Sequence, residues 1–136
     1  MTLISKGFAM KLFSGLFLFL TALFNLNCNA QQEPDAVITP TELKERMGKS
    51  DQSMVILDVR NAEELTGPLG RVPGDIIHIP LSQLEQRASE LDQFKGKEIA
   101  VVCRSGNRSS IATNILRAKG FNAKNMTGGM IEYNRK

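Results

Sequence analysis

Acidic residues are missing from two long stretches of this chain. None occurs before Glu33, and none occurs between Ile99 and Ile131. The chain has one histidine, His78, and two cysteines, Cys28 and Cys103. So few cysteines exclude a disulfide framework, and nothing in the sequence predicts a metal or a cofactor. After residue 30 there is no internal repeat and no low-complexity tract. The net charge of +3 is also small, and removing Lys6 and Lys11 leaves 15 basic against 14 acidic residues, a net +1. Such a balance gives no reason to expect nucleic acid as a partner, or a membrane beyond the N-terminal segment.

The acid-free start coincides with an apolar one. Lys6 and Lys11 precede a nearly unbroken apolar run over residues 12–26. A basic start, a short apolar stretch and a small-residue exit mark a secretory signal peptide. The run is short for a membrane span, which needs ~20 apolar residues. Residues 1–30 are therefore expected to be a signal, and the protein to be exported to the periplasm. Cys28-Asn29-Ala30 resembles an A-x-A cleavage site that would leave Gln31 as the new N-terminus. A second exit is lipidation of Cys28 as a membrane-anchored lipoprotein, but lipobox cysteines follow Gly, Ala or Ser, and here Asn27 precedes. An uncleaved anchor is the third.

Residues 31–36 read as a short flexible lead-in, and residues 37–136 as one small domain with one core. Val37-Ile38 suits a first strand. Thr39, Pro40 and Glu42 supply an N-cap, a first-turn proline and a capping box for a helix to about Met47. Met54-Val55-Ile56-Leu57 and Ile99-Ala100-Val101-Val102 are continuous apolar runs, as in strands buried on both faces. Strands are also expected over 76–79 and 123–126. Helical spacing appears over 61–65, over 82–94 with Leu84, Ala88 and Leu91 inward, and over 109–119 with Ile111, Ala112, Ile115 and Leu116 inward. Strands alternating with helices predict an α/β domain with a central parallel sheet covered on both faces.

The second acid-free stretch carries the chemistry. An apolar strand ends at Cys103, the compact loop Arg104-Ser105-Gly106-Asn107-Arg108 follows, and a helix begins near Ser109. Ligands of open α/β sheets bind beyond the carboxyl ends of strands, and helix N-termini present free N–H groups to anions. A cysteine placed there favours its thiolate, the reactive form. Gly106 lets the backbone curl so that its amides point inward. Arg104 and Arg108 add positive charge, with no acidic residue nearby in sequence. Cysteine hydrolases need a base, and His78, alternating with Ile77 and Ile79 in a strand, reads as structural. Electrostatics must then activate the thiol.

The loop 103–109, Cys-Arg-Ser-Gly-Asn-Arg-Ser, resembles the active-site loop of single-domain rhodaneses. Asp58-Val59-Arg60 with Glu63, then Gly70-Arg71-Val72-Pro73-Gly74, and the close Thr127-Gly128-Gly129 with Tyr133 resemble that family's other motifs. The resemblance covers about residues 37–134. It implies the rhodanese-like three-layer fold and a sulfurtransferase of the thiosulfate type. Cys103 would take the outer sulfur of a small anionic donor as a persulfide, and pass it to cyanide, a thiol or a protein thiol partner. It implies that the loop amides over Arg104, Ser105, Gly106, Asn107, Arg108 and Ser109 hold the anion, with Arg104 orienting the donor and Arg108 shaping the loop. Asp58 and Arg60 resemble a pair supporting the loop from the neighbouring strand. The stretch Thr66-Gly67-Pro68-Leu69 is longer than the family's usual one, Arg71 stands where His is frequent, and Tyr133 replaces the usual Trp. A persulfide carrier or a non-enzymatic binding module is the alternative. A phosphatase of the Cys-x5-Arg kind is disfavoured, because four residues separate Cys103 from Arg108. A redox sensor lacks its resolving cysteine.

Overall fold

The computed structural model describes residues 34–136. The expectations for residues 1–30, including the fate of Cys28, lie outside the described residues. Of the lead-in, Pro34–Ala36 form a 3₁₀ turn, and Ala36 is buried.

Five parallel strands form one sheet in the order β1-β5-β4-β2-β3, where β1 is Val37–Ile38, β2 Met54–Asp58, β3 Ile76–His78, β4 Glu98–Val102 and β5 Asn122–Met126. The helices are α1 (Pro40–Gly48), α2 (Leu81–Arg87), α3 (Asn107–Ala118) and the short α4 (Gly129–Tyr133). Side chains alternate across a strand, and each of the two central strands feeds two cores. From β4, Ile99 and Val101 join Leu84, Ala112 and Leu116 of α2 and α3. Ala100 and Val102 join Leu43 of α1 and Met130 of α4. This double burial explains why the strongest strands read as unbroken apolar runs rather than alternating ones.

Local chemistry sets the helix starts. Thr39 Oγ1 accepts from the Glu42 amide at 3.1 Å, and Pro40 occupies the first turn of α1. The reciprocal half of the expected capping box gives way to a contact of Glu42 with Arg46 at 3.9 Å.

Two helical expectations change. The segment 82–94 is not one α-helix: α2 ends at Arg87 and a 3₁₀ helix runs over Ala88–Phe94. Ala88, Leu91 and Phe94 recur every third residue, and a helix of three residues per turn keeps all of them inward. Helix α3 begins at Asn107, two residues before Ser109, because its N-cap Gly106 takes φ 99°. Its buried stripe is Ser109, Ala112, Thr113 and Leu116, while Ile111 is 53% exposed. The spacing i, i+3, i+4, i+7 is that of an amphipathic helix, but two of its members are hydroxyl residues, which an apolar pattern passes over.

Candidate functional site

Cys103 directly follows β4 and faces the core shared with α2 and α3. Its thiol is buried, yet polar groups converge on it. Sγ accepts from the Gly106 amide at 3.0 Å and from Ser109 Oγ at 3.2 Å. Burial pushes the thiol up. The Ser109 hydroxyl and the amides of Ser109, Gly106 and Ser105 pull it down and together outweigh burial, so the net shift is downward from the ordinary thiol value. The causes are hydrogen bonds to the charged form, the third of the general routes to a shifted acid. No histidine takes part: His78 Nε2 lies 2.8 Å from the carbonyl oxygen of Arg60.

The loop holds this shape because the end of the chain grips it. The Met130 amide donates to Cys103 O at 2.9 Å, and the Ile131 amide donates to Arg104 O at 3.0 Å. With the carbonyls turned toward α4, the next amides are free to face the sulfur. The approach demands glycine on both sides. A Cβ on Gly129, whose φ is +58°, would sit 2.5 Å from Arg104 O, and one on Gly106 would sit 3.2 Å from the Gly128 nitrogen.

The positive residues divide sharply. Arg108 is bound in a fork by Glu64, Nη1 to Oε2 at 2.6 Å and Nη2 to Oε1 at 2.7 Å. That pairing, chiefly through its hydrogen bonds, holds the Glu64 carboxyl at about 2. No acidic residue lies near the loop in sequence, but the fold supplies one to Arg108: Glu64 arrives from the 3₁₀ turn Ala62–Thr66. Arg104 is exposed and makes no ion pair among the described residues. Ser105 and Asn107 are exposed on the same loop, and Ser109 is buried.

Asp58 and Arg60 form a buried pair, with Arg60 Nε 3.0 Å from Asp58 Oδ1 and Nη2 2.7 Å from Oδ2. Arg60 also donates to Gly70 O at 2.9 Å and to Glu64 O at 3.4 Å. The pair thus anchors the segment 64–70 rather than bonding to the cysteine loop itself, and its link to the loop runs through Glu64 and Arg108. The long stretch Thr66-Leu69 is placed by this anchoring. Gly67, Pro68 and Leu69 line a cavity of about 490 Å³ beside the loop, together with Arg60, Arg104 and Ile131.

The rhodanese-like domain family matches residues 39–136. The chain belongs to that family. It is 40% identical to YrkF of Bacillus subtilis strain 168, a protein provisionally named a sulfur carrier, over 64% of this chain and 45% of that one. It is 33% identical to YtwF of the same organism, provisionally named a sulfurtransferase, over 71% of this chain and 87% of that one. The chain thus spans less than half of YrkF but most of YtwF. A rhodanese-like domain protein from Staphylococcus aureus superimposes with a TM-score of 0.62 at 31% identity, covering 74% of this chain and 92% of that one. The parallel sheet with helices on both faces is the rhodanese-like fold, as the motifs implied.

Two contributors to this rhodanese-like loop escaped the sequence reading, and the part played by a third, Gly129, was not legible there. Glu64 left no local signal, since its partner lies 44 positions away. Asn125 sits in a strand and bonds Ser109 at 2.6 Å. Gly129 did leave a signal, as part of the Gly-Gly motif that resembles the family's, although the sequence does not say what approaches it.

Proposed function

We propose that this rhodanese-like protein moves sulfane sulfur through a persulfide on Cys103. One observation carries the reading: a single thiol at the carboxyl end of a central strand is ringed by N–H and O–H donors that lower its pKa despite burial. Such a ring stabilises a sulfur anion before and after reaction, because the persulfide is also an anion.

With thiosulfate as donor, the Cys103 thiolate attacks the outer sulfur. The new S–S bond forms as the old one breaks, and sulfite leaves with the bonding pair. An acceptor such as cyanide then attacks the outer sulfur of the persulfide, departs as thiocyanate and restores the thiolate. Charge balances at each step and no proton need move, which accords with a site whose only nearby histidine bond is to a backbone carbonyl. Arg104, unpaired and exposed, would orient the anionic donor. The amides of Ser105, Gly106 and Ser109 would hold the sulfur anion, with Asn107 completing the turn and Arg108 bracing it through Glu64.

A second reading uses the same chemistry with a protein thiol as acceptor, making the protein a persulfide carrier. The likeness to YrkF, named for sulfur carriage, favours it as much as the likeness to YtwF favours the free enzyme. The test of the shared chemistry is thiocyanate formation from thiosulfate and cyanide by the full chain, with Cys103→Ser alongside. Turnover lost in the variant supports transfer through Cys103. Absence of turnover by a folded, reduced protein overturns the thiosulfate reading, and mass spectrometry after treatment with an organic persulfide then decides whether Cys103 takes up sulfur at all.

A further inference from the structure

Thiosulfate and cyanide engage only the Arg104 side of the 490 Å³ cavity beside the loop and leave its apolar wall without a role. Its volume falls in the range of pockets for organic ligands, about 300–1,000 Å³. Its walls include Pro68, Leu69 and Ile131, and Ile131 is 43% exposed, one of two large apolar side chains left open on the described surface. An exposed apolar side chain lining a concavity is informative where a scattered one is not.

The charges on the cavity are also unequal. Arg60 is forked to Asp58 and Glu64 is forked to Arg108, so each is neutralised in place. Arg104 is not. Glu63 is exposed on the rim, where water weakens its field. The cavity therefore offers an apolar wall and a free guanidinium, and that guanidinium belongs to the residue next to Cys103. The Ile131 amide bond to Arg104 O, 3.0 Å, ties the backbones that carry the apolar wall and the cation.

Resting on the sulfur-transfer reading, we infer that the cavity receives the organic body of a thiol that carries a carboxylate. The apolar part would lie on Pro68, Leu69 and Ile131, the carboxylate on Arg104, and the sulfur would reach Cys103. In the acceptor direction the thiolate attacks the outer sulfur of the Cys103 persulfide. A new S–S bond forms on the small molecule, the Cys103 S–S bond breaks, and its electron pair returns to Cys103 as thiolate. The reverse reaction loads the protein from the corresponding organic persulfide. The segment 66–69 then sets specificity.

The test compares three acceptors with persulfidated full-length protein: β-mercaptopropionate, its α-benzyl derivative, and phenylethanethiol. The α-benzyl compound alone has both handles, and it is expected to exceed each of the others in kcat/KM by about tenfold, as apolar pocket contacts allow. Ile131→Ser and, separately, the exposed-site variant Pro68→Ser are expected to shrink its advantage over β-mercaptopropionate. A second arm needs no sulfur chemistry: binding of hydrocinnamate to Cys103→Ser protein, followed by NMR shifts, is expected and is weakened by Ile131→Ser. Equal rates for the three thiols together with no hydrocinnamate binding overturn the inference. Cyanide turnover separates the two failures, since its presence with no thiol preference sinks the cavity assignment alone, and its absence with hydrocinnamate bound sinks the sulfur reading alone.

Discussion

The Ser109 hydroxyl lies 2.6 Å from Asn125 Oδ1 and 3.2 Å from Cys103 Sγ. A hydroxyl has one proton to donate, so the Asn125 amide, the sulfur and Gly106 O, at 3.1 Å, compete for it, and the Asn125 amide holds the shortest bond. All three side chains are buried, where each hydrogen bond counts more than in water. Replacing the two residues should therefore move the thiol in opposite directions. Ser109→Ala removes a donor and raises the pKa of Cys103. Asn125→Ala frees the hydroxyl to be shared between the sulfur and Gly106 O, and lowers it. A hydrogen bond of about 1 kcal/mol corresponds to a shift of under about one pH unit. The pH profile of alkylation by iodoacetamide reads both, and a rise in both variants would show that Asn125 supports the donor instead of competing for it.

The fork between Glu64 and Arg108 gives a pH signature. The carboxyl sits at about 2 in the folded protein against an ordinary 4.5, mainly through its hydrogen bonds to Arg108. A depressed carboxyl contributes stability that is complete above its unfolded pKa and is lost as pH falls toward the folded one. Wild type should exceed Glu64→Gln in stability at neutral pH, and the gap should close between about pH 4.5 and pH 2. Urea titrations across that window would show it. A gap independent of pH would mean that the fork does not act through charge.

Local patterns made the α/β class and the five strands legible. The runs at 54–57 and 99–102 could be strands buried on both faces, and the residues between them had helical spacing. The cysteine loop was legible for the same reason, since strand, loop and helix start are consecutive. What stayed hidden depends on contacts between distant segments. Glu64 and Asn125 reach the loop only through the fold, and the buried stripe of α3 passes through Ser109 and Thr113, which no apolar pattern marks. The order of the strands is likewise a matter of long-range pairing, and here the family resemblance, not the pattern, carried the expectation.

Thr113 shows what such a stripe costs. Its Oγ1 is buried and has no hydrogen-bond partner. An unsatisfied buried hydroxyl costs about 1–3 kcal/mol, and replacing it by an apolar group of the same shape removes that cost. Thr113→Val should raise stability by about 1 kcal/mol, the lower end because valine also loses some helix propensity. A chemical denaturation midpoint that moves up without a change in slope would confirm it. A drop in stability would indicate that the hydroxyl is bonded after all, for instance by water.

The Asp58–Arg60 pair behaves in the opposite sense. Both side chains are about 1% exposed, so neither charge can be relieved by solvent. Removing one partner of a buried pair leaves the other uncompensated, at about 3–5 kcal/mol. Asp58→Asn keeps the shape and should lose stability of that order. Because Arg60 also holds Gly70 O and Glu64 O, the segment 64–70 should loosen first. Amide exchange in that segment, rising before global unfolding, is the expected mark, and uniform exchange would place the pair's role in the sheet alone.

Gly129 tests whether the grip of the C-terminal turn shapes the reactive loop. Its φ of +58° disfavours any side chain, and a Cβ would press to 2.5 Å on Arg104 O and 2.6 Å on Cys103 O. Backbone cannot yield there as a flexible side chain could, since the Met130 and Ile131 amides bind the same two carbonyls. Gly129→Ala should push the loop off α4, turn the amides away from Cys103 and raise the thiol pKa while the sheet persists. The useful readout is the alkylation profile of Cys103 beside the far-ultraviolet circular dichroism. A shifted profile with an unchanged spectrum supports the linkage. An unchanged profile in a folded protein would mean that the loop keeps its shape without α4, and that the strand end and the first turn of α3 are enough to hold the sulfur.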